Sequence, residues 1–186
     1  MTMTLSVDPT ADAPALTLRP WRETDIPALV AAYKDPAMRR WLYTVVDDED
    51  GARAWLDLNE RGWADGTRLT FVIEEDGRLV GHFLVKTSDI PGSSATEVGY
   101  WTLAEARGRG IASRCVEAVS QWLFGPQDRI AAEALELIHE AGNEASCRVA
   151  NKSGYELESI VPASPPQYPN EGHRHVRARP PMPSGS

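Results

Sequence analysis

The residues best placed to do chemistry are Arg107-Gly108-Arg109-Gly110-Ile111-Ala112, where an alternating strand pattern gives way to a helical one. Glycine lets a backbone adopt positive φ and lets a ligand approach it closely. The first turn of a helix has amide N–H groups without partners, and the helix dipole adds partial positive charge there. The segment therefore predicts an anion site suited to a phosphate or pyrophosphate. A dinucleotide fingerprint is opposed by Ser113 at the third glycine position, by the motif's place about 100 residues into the chain, and by preceding strands that read as hairpins. No Gly-Lys-Ser/Thr is present, which excludes a Walker A loop.

The elements that must hold this loop follow from hydrophobic periodicity. Leu16 and Leu18 around Thr17 predict a first strand, and Thr24 or Asp25 caps a helix with Ile26, Leu29, Val30 and Tyr33 on its buried stripe. Asp35-Pro36 stops or bends that helix. A second helix starts at Asp47 or Asp48 and ends at Ala64-Asp65-Gly66, with Ala52, Trp55, Leu56, Asn59 and Trp63 on one face. Leu69, Phe71 and Ile73 alternate up to an Asp76-Gly77 turn, a strong hairpin signal, and Leu79 to Val85 return. After a loop over 87–95, Thr96 to Leu103 form a third strand of the sheet. The helix behind the glycines buries Ile111, Cys115, Val116, Val119 and Leu123 and ends at Gly125-Pro126. Residues 130–135 fit helix or strand, Leu135 to His139 a strand, Ser146 to Ser153 a short helix, Tyr155 to Val161 a strand, and His173 to Arg179 a last edge strand. The expectation is a mixed α/β fold with one mostly antiparallel sheet flanked by helices. A single domain spans 15–179, between flexible tails at 1–14 and 180–186.

Composition narrows the function classes. With 42% apolar and 25% charged residues the chain reads as an ordinary globular protein. No apolar run approaches the ~18–20 residues of a membrane span, and the N-terminus lacks a signal peptide's basic and apolar regions. Two cysteines, Cys115 and Cys147, make no disulfide framework, so a cytoplasmic location is the default expectation. A net charge of −8 argues against nucleic-acid binding and is compatible with a cationic amine substrate.

Three segments in order carry a resemblance. Arg107-x-x-Gly110-x-Ala112 resembles the Arg/Gln-x-x-Gly-x-Gly/Ala signature of the GNAT superfamily of acyl-CoA N-acyltransferases, with Val98-Gly99-Tyr100-Trp101 leading in. Asn143-Glu144-Ala145-Ser146 through Lys152-Ser153-Gly154-Tyr155 resembles a segment of its RimJ/RimL-like branch, and Leu18-Arg19-Pro20-Trp21 with Thr24-Asp25 resembles that branch's opening. The resemblance covers about residues 16–161. It implies a V-shaped sheet whose central strands splay to admit acetyl-CoA. Backbone amides of Arg107, Gly108, Arg109, Gly110, Ile111 and Ala112 would cradle the pyrophosphate, the two arginines adding charge-assisted contacts unless they are solvated loop residues. Trp101, Thr102 and Leu103 would offer backbone groups to the pantetheine arm. Asn143 would contact that arm, or else cap a helix.

The implied reaction is direct attack of an amine on a thioester. Glu97, on the strand entering the loop, is the expected base, and partial burial would raise its proton affinity. Its bland alternative is a surface carboxylate. Ser146 is the expected proton or hydrogen-bond donor to the leaving thiolate, a role compatible with capping the following helix. Tyr155 is a second candidate acid or a core residue. Cys147 with His139 suggests a thiol nucleophile, which direct transfer makes unnecessary. His173-x-His175 could face a metal, but no third ligand has a clear place, so no metal is expected. His82 and the six tryptophans read as structural. The expected function is N-acetyl transfer from acetyl-CoA to a primary amine, a protein N-terminus or a small molecule, with a CoA-binding regulatory module as the non-enzymatic alternative. No membrane partner is expected, and a homodimer is left open.

Overall fold

The computed structural model describes residues 3–90 and 92–181. In chain order they form β1 (Leu5–Val7), β2 (Leu16–Pro20), a 3-10 turn (Glu23–Asp25), α1 (Ile26–Ala32), α2 (Pro36–Trp41) and α3 (Glu49–Asp65). Then come β3 (Arg68–Glu75), β4 (Arg78–Thr87), β5 (Thr96–Thr102), a 3-10 turn (Ala104–Ala106) and α4 (Ile111–Phe124). The chain closes with β6 (Ala134–Glu140), α5 (Glu144–Lys152), β7 (Glu156–Val161) and β8 (Gly172–Ala178). All eight strands join one sheet in the order β1-β2-β3-β4-β5-β6-β8-β7. Every neighbouring pair is antiparallel except β5 and β6. No helix among the described residues is long and apolar enough to cross a membrane.

Local signals explain most boundaries. The Asp48 carboxylate accepts the Gly51 N–H at the start of α3, and Gly66 ends that helix at φ 68°. Asp76 and Gly77 both take positive φ, 49° and 73°, as a two-residue hairpin turn of the primed kind requires. Alternation then divides the core between the sheet's faces. Phe71, Phe83, Val85, Val98, Leu135 and Leu137 pack with Cys115, Val116, Val119 and Leu123 of α4. On the other face Trp21, Val72 and Trp101 meet Leu29 and Tyr33 of α1 and its C-cap and Ala52 and Leu56 of α3.

Four expectations need correction. The segment expected as a tail contributes β1, paired with β2 at Leu5↔Leu18 and Val7↔Leu16 and burying Val7; residues 1 and 2 lie outside the described residues, as do Pro91 of the 87–95 loop and 182–186 of the C-terminal tail. Asp35-Pro36 opens α2, Asp35 accepting the Ala37 N–H. The helix expected from Ser146 starts two residues earlier, because Asn143 rather than Ser146 accepts an amide there. Finally, β8 is no edge strand. It lies between β6 and β7, with His175 buried, while β7 takes the edge with mostly exposed side chains.

The pairing of β5 positions the site. Its seven residues all pair with β4, but on its other side it meets β6 only at Thr96↔Leu135 and Glu97↔Glu136. Beyond Glu97 the two strands part.

Candidate active site

Where β5 leaves β6, the edge of residues 98–102 that faces β6 has no strand partner among the described residues. Such an edge is a row of amide donors and carbonyl acceptors ready to pair with an extended ligand that carries amides of its own. Thr102 and Leu103 remain anchored on the other side, Thr102 opposite Gly81 and the Leu103 N–H donating to the Val80 carbonyl at 2.9 Å. The Trp101 side chain turns into the core, stacked on His82 at 5.4 Å between ring centroids. Trp101 can therefore serve a ligand through its backbone only.

The glycine loop follows. Gly108 and Gly110 sit at φ 74° and 75°, the left-handed region that glycine tolerates best, and a Cβ built on either would meet nothing within 4 Å. The glycines are thus required by conformation, and the space beside them is open. Gly110 caps α4 without a side-chain hydrogen bond, and the Ser113 hydroxyl turns back to the Gly110 carbonyl at 3.0 Å. Ile111 is buried beneath the loop. The amides from Ile111 and Ala112 onward so form the uncapped end of a 14-residue helix, with the dipole's positive pole directed at the opening.

The two arginines are already engaged. Arg109 holds Glu75 through both carboxylate oxygens at 2.6 and 2.7 Å, and Arg107 holds Asp35. Both guanidinium side chains remain partly exposed, so an anion in the loop would share them with carboxylates.

Glu97 lies in a row of charges across three strands. Lys86 of β4 is its register partner and ion-pairs with it at 3.1 Å, while also holding Asp89. On the other side stands Glu136 of β6, fully buried, bonded by Arg174 Nε at 2.7 Å and by the Ser93 hydroxyl at 3.2 Å. Burial pushes the Glu97 carboxyl above its ordinary value, against the pull of the Lys86 ammonium. Lys86, although burial works against its charge, is held above its ordinary value by Glu97 and Asp89. The result is a carboxylate with enhanced proton affinity at the point where the strands diverge.

Ser146, in the first turn of α5, meets a residue that sequence reasoning passed over as part of a lead-in motif. The Tyr100 hydroxyl donates to the Ser146 hydroxyl at 3.3 Å, and burial pushes the phenol up to about 12. With the phenol proton on its oxygen, the Ser146 hydroxyl keeps its own proton free to donate to a thiolate. Because Tyr100 is three residues from Glu97 along β5, strand alternation sets this pair on the face opposite the carboxylate. Asn143, with its carbonyl oxygen accepting the Ser146 N–H at 3.2 Å, fixes the start of α5. Tyr155 is core: its hydroxyl meets the Ser120 hydroxyl at 2.7 Å behind α4.

The histidines depart most from the sequence expectation. His139 of β6, Cys147 of α5, and His173 and His175 of β8 come together, with one ligand-type atom from each lying within 4.8 Å of all the others. The missing third ligand beside His173-x-His175 thus has a place, because β8 lies against β6 and under α5 and not at the sheet's edge.

Residues 15–156 match the acetyltransferase (GNAT) domain family. No curated protein matches the chain by sequence. Among solved structures, it resembles RimL, a ribosomal L7/L12 alpha-N-protein acetyltransferase, with a TM-score of 0.77 at 18% identity over 95% of each chain. RimJ of Mycobacterium smegmatis in complex with CoA-disulfide gives 0.76 at 17% identity over 95% of this chain and 86% of that one. The microcin C7 self-immunity acetyltransferase MccE, in complex with acetyl-CoA and AMP, gives 0.75 at 14% identity over 88% and 92%. At these identities the likeness is one of fold.

Proposed function

The chain belongs to the GNAT acetyltransferase family, whose members carry an acetyl group from acetyl-CoA to an amine, and we propose that its acceptor is the α-amine of a protein N-terminus. The observation that carries the acyl-transfer part of this reading is the notch between β5 and β6: a strand edge from Val98, unpaired among the described residues, that runs toward two left-handed glycines at an uncapped helix start. The cradle fits acetyl-CoA. Its open space at Gly108 and Gly110 suits a pyrophosphate, and the strand edge suits the amides of the pantetheine arm.

Acetyl-CoA, when bound, supplies a thioester carbonyl that the amine nitrogen attacks as the C–S bond breaks. The chain's own residues have three tasks. Amides of residues 107–112 hold the phosphates, with Arg107 and Arg109 at their flanks. Glu97 takes the proton that the attacking amine loses, directly or through a water. On the opposite face, the Ser146 hydroxyl donates a hydrogen bond to the departing sulfur while the Tyr100 hydroxyl donates to Ser146. Asn143 sets the angle of α5 and with it the Ser146 hydroxyl.

Amine acidity supports an N-terminal acceptor. An α-amine of pKa about 7.7–8.0 is roughly 10–15% neutral at pH 7, a cost of ~1 kcal/mol. A lysine of pKa about 10.4 costs ~4.6 kcal/mol. A single carboxylate restrained by Lys86 suits the first task better than the second. The likeness to MccE favours a small-molecule amine as the second reading.

Thiol release from acetyl-CoA tests both. Peptides with free N-termini should be turned over, and the same peptides with blocked N-termini but free lysines should not. Turnover confined to polyamines, aminoglycosides or aminoacyl nucleotides would replace the first reading by the second. Calorimetric binding of acetyl-CoA with no thiol release on any amine would sink catalysis altogether.

A further inference from the structure

The sequence contains four histidines and two cysteines, and three of the histidines and one cysteine meet at a single point. His82 is the histidine elsewhere, closed in among Trp21, Trp55 and Trp101. Cys115 lies in the core of α4. In the cluster, Cys147 Sγ is 3.2 Å from His173 Nδ1 and 3.7 Å from His175 Nε2. The His139 and His175 rings stack with centroids 5.2 Å apart, and His173 meets both edge-on at 5.6 and 6.2 Å.

A hydrogen-bond network does not account for this arrangement. One thiol has one proton to donate, and two imidazole nitrogens lie within reach of it while a third imidazole is left over. His139 Nδ1 lies 2.8 Å from the Glu140 carbonyl, so that nitrogen carries the proton and Nε2 keeps its lone pair. His139 Nε2 is buried without a hydrogen-bond partner among the described residues. A backbone carbonyl fixing one imidazole nitrogen so that the other points its lone pair inward is the usual outer support of a metal ligand.

We propose that His139, Cys147, His173 and His175 bind one divalent zinc-like cation. The ligand set decides the metal class: a thiolate with imidazoles selects zinc and its softer transition-metal neighbours over magnesium or calcium. The two sulfur–nitrogen separations agree with tetrahedral edges. Zn–S near 2.3 Å and Zn–N near 2.0–2.1 Å give an S···N edge of about 3.6 Å, which the two measured separations bracket. Four protein ligands make a closed, structural site. On binding, the Cys147 thiol loses its proton to solvent and a sulfur–metal bond forms, with no change of oxidation state.

The placement gives the site a purpose that does not depend on the identity of the acceptor. Cys147 follows Ser146 directly in α5, while His139 is on β6 and His173 and His175 on β8. A cation here ties the start of α5 to both strands, and so holds the Ser146 hydroxyl against Tyr100.

The test uses the whole protein stripped by a chelator and then titrated with zinc alone, in competition with a chromophoric chelator. About one equivalent should bind, and cobalt in its place should give tetrahedral ligand-field bands with a thiolate charge-transfer band in the near ultraviolet. Cys147→Ser and His173→Gln should each weaken zinc on the order of 100-fold or more and remove the zinc-induced rise in Tm. Cys115→Ala should bind zinc as the unaltered protein does. Circular dichroism identifies variants that remain folded, and His139→Gln serves if either of the first two does not. Failure of the stripped protein to take up zinc would overturn the proposal, as would undiminished binding by the folded Cys147→Ser and His173→Gln variants. Acetyl-CoA binding, measured separately, reports on the acyl-transfer reading by itself.

Discussion

At the scale of single residues, the Lys86–Glu97 pair gives the proposed base its character. Replacing Glu97 by Gln should lower kcat by about 10²–10⁴-fold while leaving acetyl-CoA affinity near its original value. The deficit should shrink at high pH, where the amine is deprotonated unaided; steady-state kinetics with calorimetry would check both. Lys86→Gln makes the complementary test. Burial raises the proton affinity of Glu97 and the ammonium lowers it, so losing Lys86 should move the acidic limb of the kcat/KM profile to higher pH. A limb that stayed in place would mean that Glu97 is not the titrating base. The place of Glu97, on the strand entering the loop and two residues before Gly99, was legible in the sequence. Its partner was not, since a cross-strand contact between residues 86 and 97 depends on register. The same holds for Arg107 and Arg109, whose carboxylates lie 72 and 34 residues away.

His82 makes a different statement at this scale. Its Nδ1 accepts the Trp21 indole N–H at 3.0 Å, and burial holds the imidazole down at about 3. The unfolded chain takes up this proton near pH 6.5 and the folded chain only near 3, so the stabilising contribution is present above pH 6.5 and fades as the pH falls toward 3. Between pH 7 and 5 the loss should be about 2 kcal/mol. Urea unfolding at both pH values should show this increment in the wild type and not in His82→Gln, which keeps an acceptor for Trp21.

At the scale of elements, the turn before α4 and the start of α5 behave differently as sequence signals. Two glycines between a strand pattern and a helix pattern have few interpretations, and the structure finds both at positive φ. Gly110→Val places a β-branched residue at φ 75°, costing about 1–2 kcal/mol of strain. Nothing lies within 4 Å of the new Cβ, so the fold should survive with a lowered Tm. Acetyl-CoA affinity should drop more than tenfold, and a folded variant with normal affinity would remove the loop from the site. Around α5, Asn143 and Ser146 compete as caps, and composition alone does not choose between them. The His139, Cys147, His173 and His175 cluster was illegible for a stronger reason. Its members are spread over three elements, and the order of β6, β8 and β7 is not their order in sequence.

For the molecule as a whole, the parting of β5 and β6 is the decisive feature. A ligand lying in the notch contacts both halves of the sheet, β1 to β5 on one side and β6 to β8 on the other. Acetyl-CoA at 100 times its Kd should therefore stabilise the whole cooperative unit by about 2.7 kcal/mol, visible as a single shifted transition by calorimetry. A shift confined to one of two resolved transitions would mean that the ligand grips only one half. Alternation and turn chemistry made β2 to β5 readable, since those strands neighbour one another in chain order. The other half depends on which strand enters last.

That order also has a consequence for how the protein is made. β8 is inserted between β6 and β7 although it follows both in the chain. During synthesis the first five strands can pair as they emerge, whereas β6 and β7 wait with bare edges until residue 178 has cleared the ribosome. The groove wall formed by β6 is thus among the last parts to be completed. Throughout that interval the nascent chain is most exposed to pairing with its neighbours and most in need of a chaperone.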